Sequence, residues 1–577
     1  MNRITRYQVV LASLATVAAL NFGVSAEEKA VPQKTASQPT AVKAEFNPVQ
    51  AALADIASLE VGKNDWPQWG GSRYKNNTPP GTNIPTEWDV NEGTNIKWKV
   101  PIGSQSYGNP IVANGKVFLG TNNGKGYIKR FPDSVDLGCL IAFDEKDGTF
   151  LWQHSNPKLP TGRVHDWPLQ GICCSPYVDG ERLWYVTSRG EVACLDTKGF
   201  YDGKNDGPYK AEPNENTDEA DVIWLYDMMG EQGVSQHNMC SCSVTCQGDI
   251  LFVNTSNGLD ASHINLPAPN APSFMAMNRD TGEVLWTDKS PGTNILHGQW
   301  SSPTFAEIAG VPQVIFGGGD GWLYSFAPAG DGKGNSKMLW KFDCNPKDSK
   351  WVLGGSGTRN NIIATPVIYD DLLYIAVGQD PEHGEGIGNM YCLNPAGAEG
   401  DVSPTLVVDK DGNPVPHRRL QALDADEGEK EIPNEKSIVV WHFDELDANK
   451  DGEIDYEEEM HRACGTATIK DDLLYIADFS GIVYCLDAKA ADEEKNPTLY
   501  WTYDMFSPAW GSPLVVDGKV YIGDEDGDLS IFEHSKEKKQ INEIYMEDSI
   551  KSTPIVANNV LYIMTLNTLY AISPDGK

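Results

Sequence analysis

The chain has 577 residues, 40% of them hydrophobic, and a formal charge of −35 from 81 acidic and 46 basic side chains. That length can bury a sizeable core, and that acidity makes nucleic acid a poor partner because its phosphates would be repelled. Eleven cysteines are too few to build a disulfide scaffold of this size, and no Cys-x-x-Cys-His run marks an attached c-type haem.

Residues 1–26 read as a secretory signal peptide. Arg3 and Arg6 precede an apolar stretch from Val9 to Leu20, and Val24-Ser25-Ala26 makes the small-residue site. An N-terminal membrane anchor is the competing reading, but a polar, proline-containing tract follows rather than a stop-transfer pattern. No later stretch is apolar enough to span a bilayer. The expectation is a protein secreted across the inner membrane to the periplasm or the exterior, with no stable transmembrane segment in the mature chain. Residues 27–65 read as a linker with one short helix over 48–60.

From residue 66 to 577 the chain is repetitive. A phrase of the type Ser/Thr-Pro-x-Val, Val/Leu-Tyr-Ile, Gly-x-x-Tyr-x-Leu-Asp, then Trp recurs, as in TPVIYDDLLYIA with GNMYCLN and TATIKDDLLYIA with GIVYCLD. Short strands at this spacing predict an all-β, eight-bladed β-propeller of four-stranded blades, with seven blades as the alternative. Six blades end in a tryptophan: Trp152, Trp224, Trp286, Trp340, Trp441 and Trp501. The seventh ends weakly near Ile544. The eighth has three strands of its own, and Asn95–Val100, which carries Trp98, supplies the fourth and closes the ring. The repeat tryptophans are expected in grooves between blades. Turns such as DEKDG and NRDTG place a glycine where a hairpin needs a left-handed residue. Cys194, Cys392 and Cys485 read as small apolar residues of strands. Residues 199–220 and 395–436 read as projecting loops.

Residues just before each innermost strand gather at one mouth of a propeller's channel. Here they include His165, His237, His297, His461, Arg462, Trp510 and Lys551, a set suited to an acidic ligand or a metal, with a plain solvated mouth as the alternative. Cys240, Cys242 and Cys246 lie near His237 and could hold a soft metal, form a disulfide or pack as core. The most complete local motif is DANKDGEIDYEE. Asp447, Asn449, Asp451, Glu453, Asp455 and Glu458 stand at the ligand positions of an EF-hand-like calcium loop over 447–458, with Gly452 at the turn. Bound Ca²⁺ is therefore expected there, as a clamp between blades.

These blades resemble the quinoprotein alcohol dehydrogenase-like superfamily of PQQ-repeat propellers, and DWPQWGGSRYKN resembles the opening of exported, planctomycete-type members. The resemblance covers nearly all of the chain after residue 66. It implies that Cys173 and Cys174 could form a vicinal disulfide over pyrroloquinoline quinone (PQQ), with two small residues entering a strand as the alternative. It also implies Arg359 beside an anionic cofactor, Asn360 or Asn361 as an amide ligand and Trp300 as a stacking residue. No Asp maps onto the base of such enzymes, and no Glu onto their metal. The primary expectation is thus an exported module that binds an unknown protein or small-molecule ligand and carries structural calcium. The alternative is a PQQ-dependent dehydrogenase oxidising an alcohol or sugar.

Overall fold

A computed structural model describes residues 64–352, 357–379 and 386–576. The signal peptide of 1–26, the linker of 27–63 and its helix over 48–60 lie outside the described residues. No helix among the described residues is long and apolar enough to cross a membrane.

Eight blades of four antiparallel strands form, each ordered from an innermost to an outermost strand, and one of them, blade 4, gains a fifth, parallel strand at its outer edge. Blade 1 uses Ile111–Ala113, Lys116–Asn122, Leu137–Asp144 and Phe150–Pro157. Blade 8 uses Ile555–Ala557, Val560–Met564 and Thr568–Ile572, and its outermost strand is Ile96–Pro101 from the other end of the chain. The expected closure is therefore borne out, as is the count of eight. Ring closure pairs what would otherwise be an open sheet edge.

The tryptophan repeat has a packing cause. In seven blades the indole sits opposite a small third-strand residue: Ala142, Cys194, Ala276, Ser325, Cys392, Cys485 or Ala571. A register shift next to each such pair lets the large ring lie over the sheet. Most of these indoles then donate across the groove to the next blade. Trp98 reaches the Glu145 carbonyl at 3.0 Å, Trp152 that of Thr197 at 3.1 Å, and Trp441 that of Ala488 at 2.8 Å. The turn glycines complete the fit. Gly148 (φ 73°) and Gly282 (φ 73°) take left-handed backbone, and a Cβ there would meet the rings of Trp98 and Trp224, each at 2.8 Å.

A second inter-blade device rings the axis. Each innermost strand is approached through a hydroxyl or amide residue, and backbone N–H groups donate to the next one round. Thr365 donates to Thr466 (3.1 Å), Thr466 to Ser512 (2.8 Å), Ser512 to Thr553 (2.9 Å) and Thr553 to Asn109 (2.6 Å). Ser175 donates to Ser243 (2.9 Å) and Ser243 to Ser302 (3.0 Å). The recurrent Ser/Thr before each blade is thus a hydrogen-bonding position, which sequence reading took only as a strand boundary.

The opening DWPQWGGSRYKNN forms a cap across the other end of the channel. Trp66 pairs with Val112, and the Pro67 carbonyl accepts from Val178. Arg73 bonds Gln247 and Phe305, and the Tyr74 carbonyl accepts from Ile368. Asn76 exchanges two bonds with Ile469, and Asn77 reaches the carbonyls of Pro513 and Pro554. One short segment thereby ties together the inner strands around the whole ring. Lys75, wholly buried in this cap, donates to Gln68 at 3.1 Å, and burial pushes its amine down to about 7. With the folded pKa below the unfolded one, its contribution to stability is present at high pH and is lost as pH falls from about 10 toward 7. Lys75→Met should therefore remove a rise in unfolding free energy between pH 7 and 10, checked by denaturant titration across that range.

The EF-hand-like insertion expected at 447–458 is not formed. The segment follows the strand Val439–Phe443 and leaves through a three-residue 3₁₀ turn, Tyr456–Glu458, so no helix flanks it on either side. An antiparallel bridge between Glu445 and Glu459 closes the loop as a strand-like return. Its carboxylates serve its own backbone. Asp447 accepts from Asp451 and Gly452, and Glu458 from Ala448, Asn449 and Asp455. The vicinal disulfide is likewise absent, because Cys173 and Cys174 are free thiols whose sulfurs diverge. Cys174 Sγ lies 3.2 Å from the Val186 carbonyl and Cys173 Sγ 3.3 Å from Met239 Sδ.

Candidate functional site

A cavity of about 380 Å³ occupies the channel. Trp69 of the cap forms its floor, with Nε1 3.1 Å from Thr365 Oγ1, and the Ser/Thr ring forms its waist. Above the waist, Tyr107, Trp167, Trp300 and Trp510 supply aromatic walls, and Gln105, Gln170 and Asn238 supply amides. Lys551 is the cationic group of the lining. Its Nζ lies 4.3 Å from the Trp510 ring centre and 5.3 Å from that of Tyr107, and it pairs with Glu525 at 2.9 Å. Among the described residues, no carboxylate lines the cavity. Aromatic faces with a few convergent polar groups are the usual make-up of a small-molecule pocket.

The residues singled out in the sequence divide. Cys173, Trp300, Trp510 and Lys551 line the cavity. His165 instead bonds Thr161 and Ser235, and His461 is buried against Asp478 (3.0 Å) and Tyr484 (3.2 Å). Arg462 is buried and donates from Nε to Asn360 Oδ1 at 3.1 Å, while the Asn360 amide nitrogen donates to the Ile387 carbonyl.

Arg359 lies in a buried charge network. Asp343 pairs with Lys347 at 2.7 Å and with Arg359 at 3.9 Å, and all three are sequestered from solvent. His417, from the 395–436 insertion, closes the network 3.5 Å from Asp320 and 4.7 Å from the Trp322 ring. Burial pushes the Asp320 carboxyl up to about 7 and His417 down to about 3. The insertion is thus a covering element. Gly400–Asp401 adds a parallel strand to blade 4, a hairpin of Thr405–Val408 and Lys430–Pro433 follows, and Arg419 bonds the Ile264 carbonyl.

Two groups of metal-ligand type converge among the described residues, and neither includes the 447–458 loop. In the first, Asp196, Asp206 and Asp221 bring carboxylate oxygens within 4.8 Å of one another. The 199–220 insertion carries Asp206 to the strand ends that hold the other two. Burial raises Asp221 to about 7 and Asp196 to about 6. These oxygens could chelate a cation such as Ca²⁺. In the second, His237, His263 and His297 present ring nitrogens within the same distance. Sequence reading found His237 and His297 but not His263, which lies in the long connection between the second and third strands of blade 3. The three cysteines near His237 do not join the group. Cys240 Sγ faces the Asn254 carbonyl and the Ser256 hydroxyl, Cys242 accepts from the Asn254 N–H, and Cys246 lies by Gly248 and Arg279.

The site does not fit PQQ. That cofactor is a tricarboxylate, and the lining offers a single cationic side chain, Lys551, for its three carboxylates. Arg359 is spent on Asp343, and the two cysteines form no ring for the quinone to lie against.

No protein-family model matches the sequence, and no curated protein matches it. Among solved structures, the fold is similar to quinohemoprotein alcohol dehydrogenase ADHIIG from Pseudomonas putida HK5, with a TM-score of 0.51 and 10% identity over 92% of this chain and 82% of that one. BamB from Moraxella catarrhalis gives a TM-score of 0.41 and 12% identity over 77% and 92%. A europium-containing methanol dehydrogenase gives 0.41 and 12% over 89% and 92%. At such identities the likeness is one of fold alone.

Proposed function

We propose that this chain is an exported binding propeller whose central cavity takes a small ring-shaped ligand carrying a carboxylate. The observation that carries this reading is the pairing of Lys551 with aromatic walls above a floor closed by Trp69. A planar or sugar ring gains contact area against indole faces, and a carboxylate can replace Glu525 on Lys551. The lack of a lining carboxylate among the described residues favours binding over alcohol oxidation, which needs a base at the hydroxyl. The acidic group of Asp196, Asp206 and Asp221 supports a structural cation in blade 2.

The test is a calorimetric and tryptophan-fluorescence titration of the purified mature chain with ferulate and with galacturonate. One of them should saturate a single site, and Lys551→Met and Trp510→Ala should each weaken it by about tenfold or more, the loss of one charge-assisted hydrogen bond or one aromatic wall. No saturable binding, or binding that both variants leave unchanged, overturns the reading.

A further inference from the structure

Beside the cavity, outside the lining that Lys551 belongs to, three imidazoles from separate segments meet. We propose that His237, His263 and His297 form a binding site for a borderline-soft divalent transition metal of the Zn²⁺ type. His237 comes from the approach to blade 3, His263 from the connection between that blade's second and third strands, and His297 from the approach to blade 4. Their ring centres lie 4.2 Å (237–297), 4.7 Å (263–297) and 5.0 Å (237–263) apart, and their ligand nitrogens all fall within 4.8 Å of one another. Three nitrogens about 2 Å from one Zn²⁺ ion need separations somewhat shorter than this, within reach of side-chain adjustment.

The surrounding structure holds the rings in place. His237 Nδ1 lies 2.7 Å from the Leu259 carbonyl, so that nitrogen carries the proton and Nε2 is the ligand atom. A backbone acceptor behind a metal-binding imidazole sets tautomer and orientation in just this way. The Leu259 N–H in turn donates to the His297 carbonyl at 2.9 Å, coupling the two histidine loops. Gly258 makes the approach feasible, since a Cβ there would meet the His297 carbonyl at 2.6 Å and His237 Cβ at 2.7 Å. His263 holds a left-handed backbone (φ 59°) in a turn that Asp260 caps.

The ligand type selects the metal. A site of three imidazoles with no carboxylate suits zinc or copper and disfavours Ca²⁺ or Mg²⁺, which need oxygen ligands. Three protein ligands also leave one coordination position for water or an exogenous donor. Trp300 stands edge-on to His297, with ring centres 5.3 Å apart, and lines the cavity, so the metal would adjoin the pocket. Metal binding itself does not depend on the cavity's ligand, so the two readings can fail separately.

The experiment titrates the metal-stripped mature chain with Zn²⁺ by calorimetry, with bound metal quantified after gel filtration. The expected result is a tight imidazole site for one Zn²⁺, which His263→Ala and His297→Gln each weaken by at least about 100-fold, more than the loss of an outer-shell partner. Asp206→Asn should leave that site unchanged. Should either histidine variant fail to fold, the unaltered chain decides the matter, because Zn²⁺ must protect the partly exposed His263 from diethyl pyrocarbonate. No Zn²⁺ binding, binding that both histidine variants retain, or His263 modified equally with and without Zn²⁺ would overturn the proposal.

Discussion

Trp69→Ala should lower the unfolding free energy by about 3–5 kcal/mol, the cost of deleting a buried aromatic ring that its neighbours cannot refill. Trp69 is 6% exposed, lines the floor of the cavity and donates to Thr365 in the ring of hydroxyls that links the blades. Its loss opens the channel from below and removes one side of the pocket. Trp69→Phe separates the two contributions. It keeps most of the apolar surface and forfeits the indole hydrogen bond, so its cost should be nearer 1 kcal/mol. Denaturant unfolding monitored by far-UV circular dichroism measures both. A cost below about 1 kcal/mol for the alanine variant would mean that the cap contributes no closure.

The second large effect is expected at Asp343. Asp343→Ala leaves Lys347 and Arg359 buried with their shared counter-charge gone, which should cost about 3–5 kcal/mol. Burial opposes the Asp343 charge, but Lys347, Arg359 and His417 outweigh it and hold the carboxyl below its ordinary range. A group whose folded pKa is depressed stabilises the fold above its unfolded pKa and loses that contribution as pH falls through the folded value. The gap between wild type and variant should therefore be full at pH 7 and shrink as acid is added below about pH 4. A gap that is constant down to pH 2 would place the stabilisation elsewhere.

Much of the architecture was legible in the repeat itself. Strand alternation, hairpin glycines and the spacing of Trp152, Trp224 and Trp286 are local signals, and each blade restates them. The closing strand was legible for the same reason, since Trp98 repeats the blade-ending pattern without a blade of its own. The 447–458 loop shows where a local signal misleads. Its residue types match a calcium loop, but the strand before it and the bridge after it admit no helices, and its carboxylates turn to the backbone instead.

By itself, the sequence determined the eight-bladed ring, its closure and the structural use of its tryptophans, because those depend on contacts that recur within a blade or between neighbours. Only the tertiary structure decided which side chains share a site. His237 stands three residues from Cys240 in the chain, yet its ring meets His263 and His297, while the Cys240 sulfur faces the Asn254 carbonyl. The resemblance put Arg359 beside an anionic cofactor, and it is enclosed by Asp343 and by His417 from a distant insertion. Trp69, outside the repeat altogether, reaches through the axis to bound the pocket. Side-chain direction and the approach of distant loops set these groupings, and neither leaves a periodic mark in the chain.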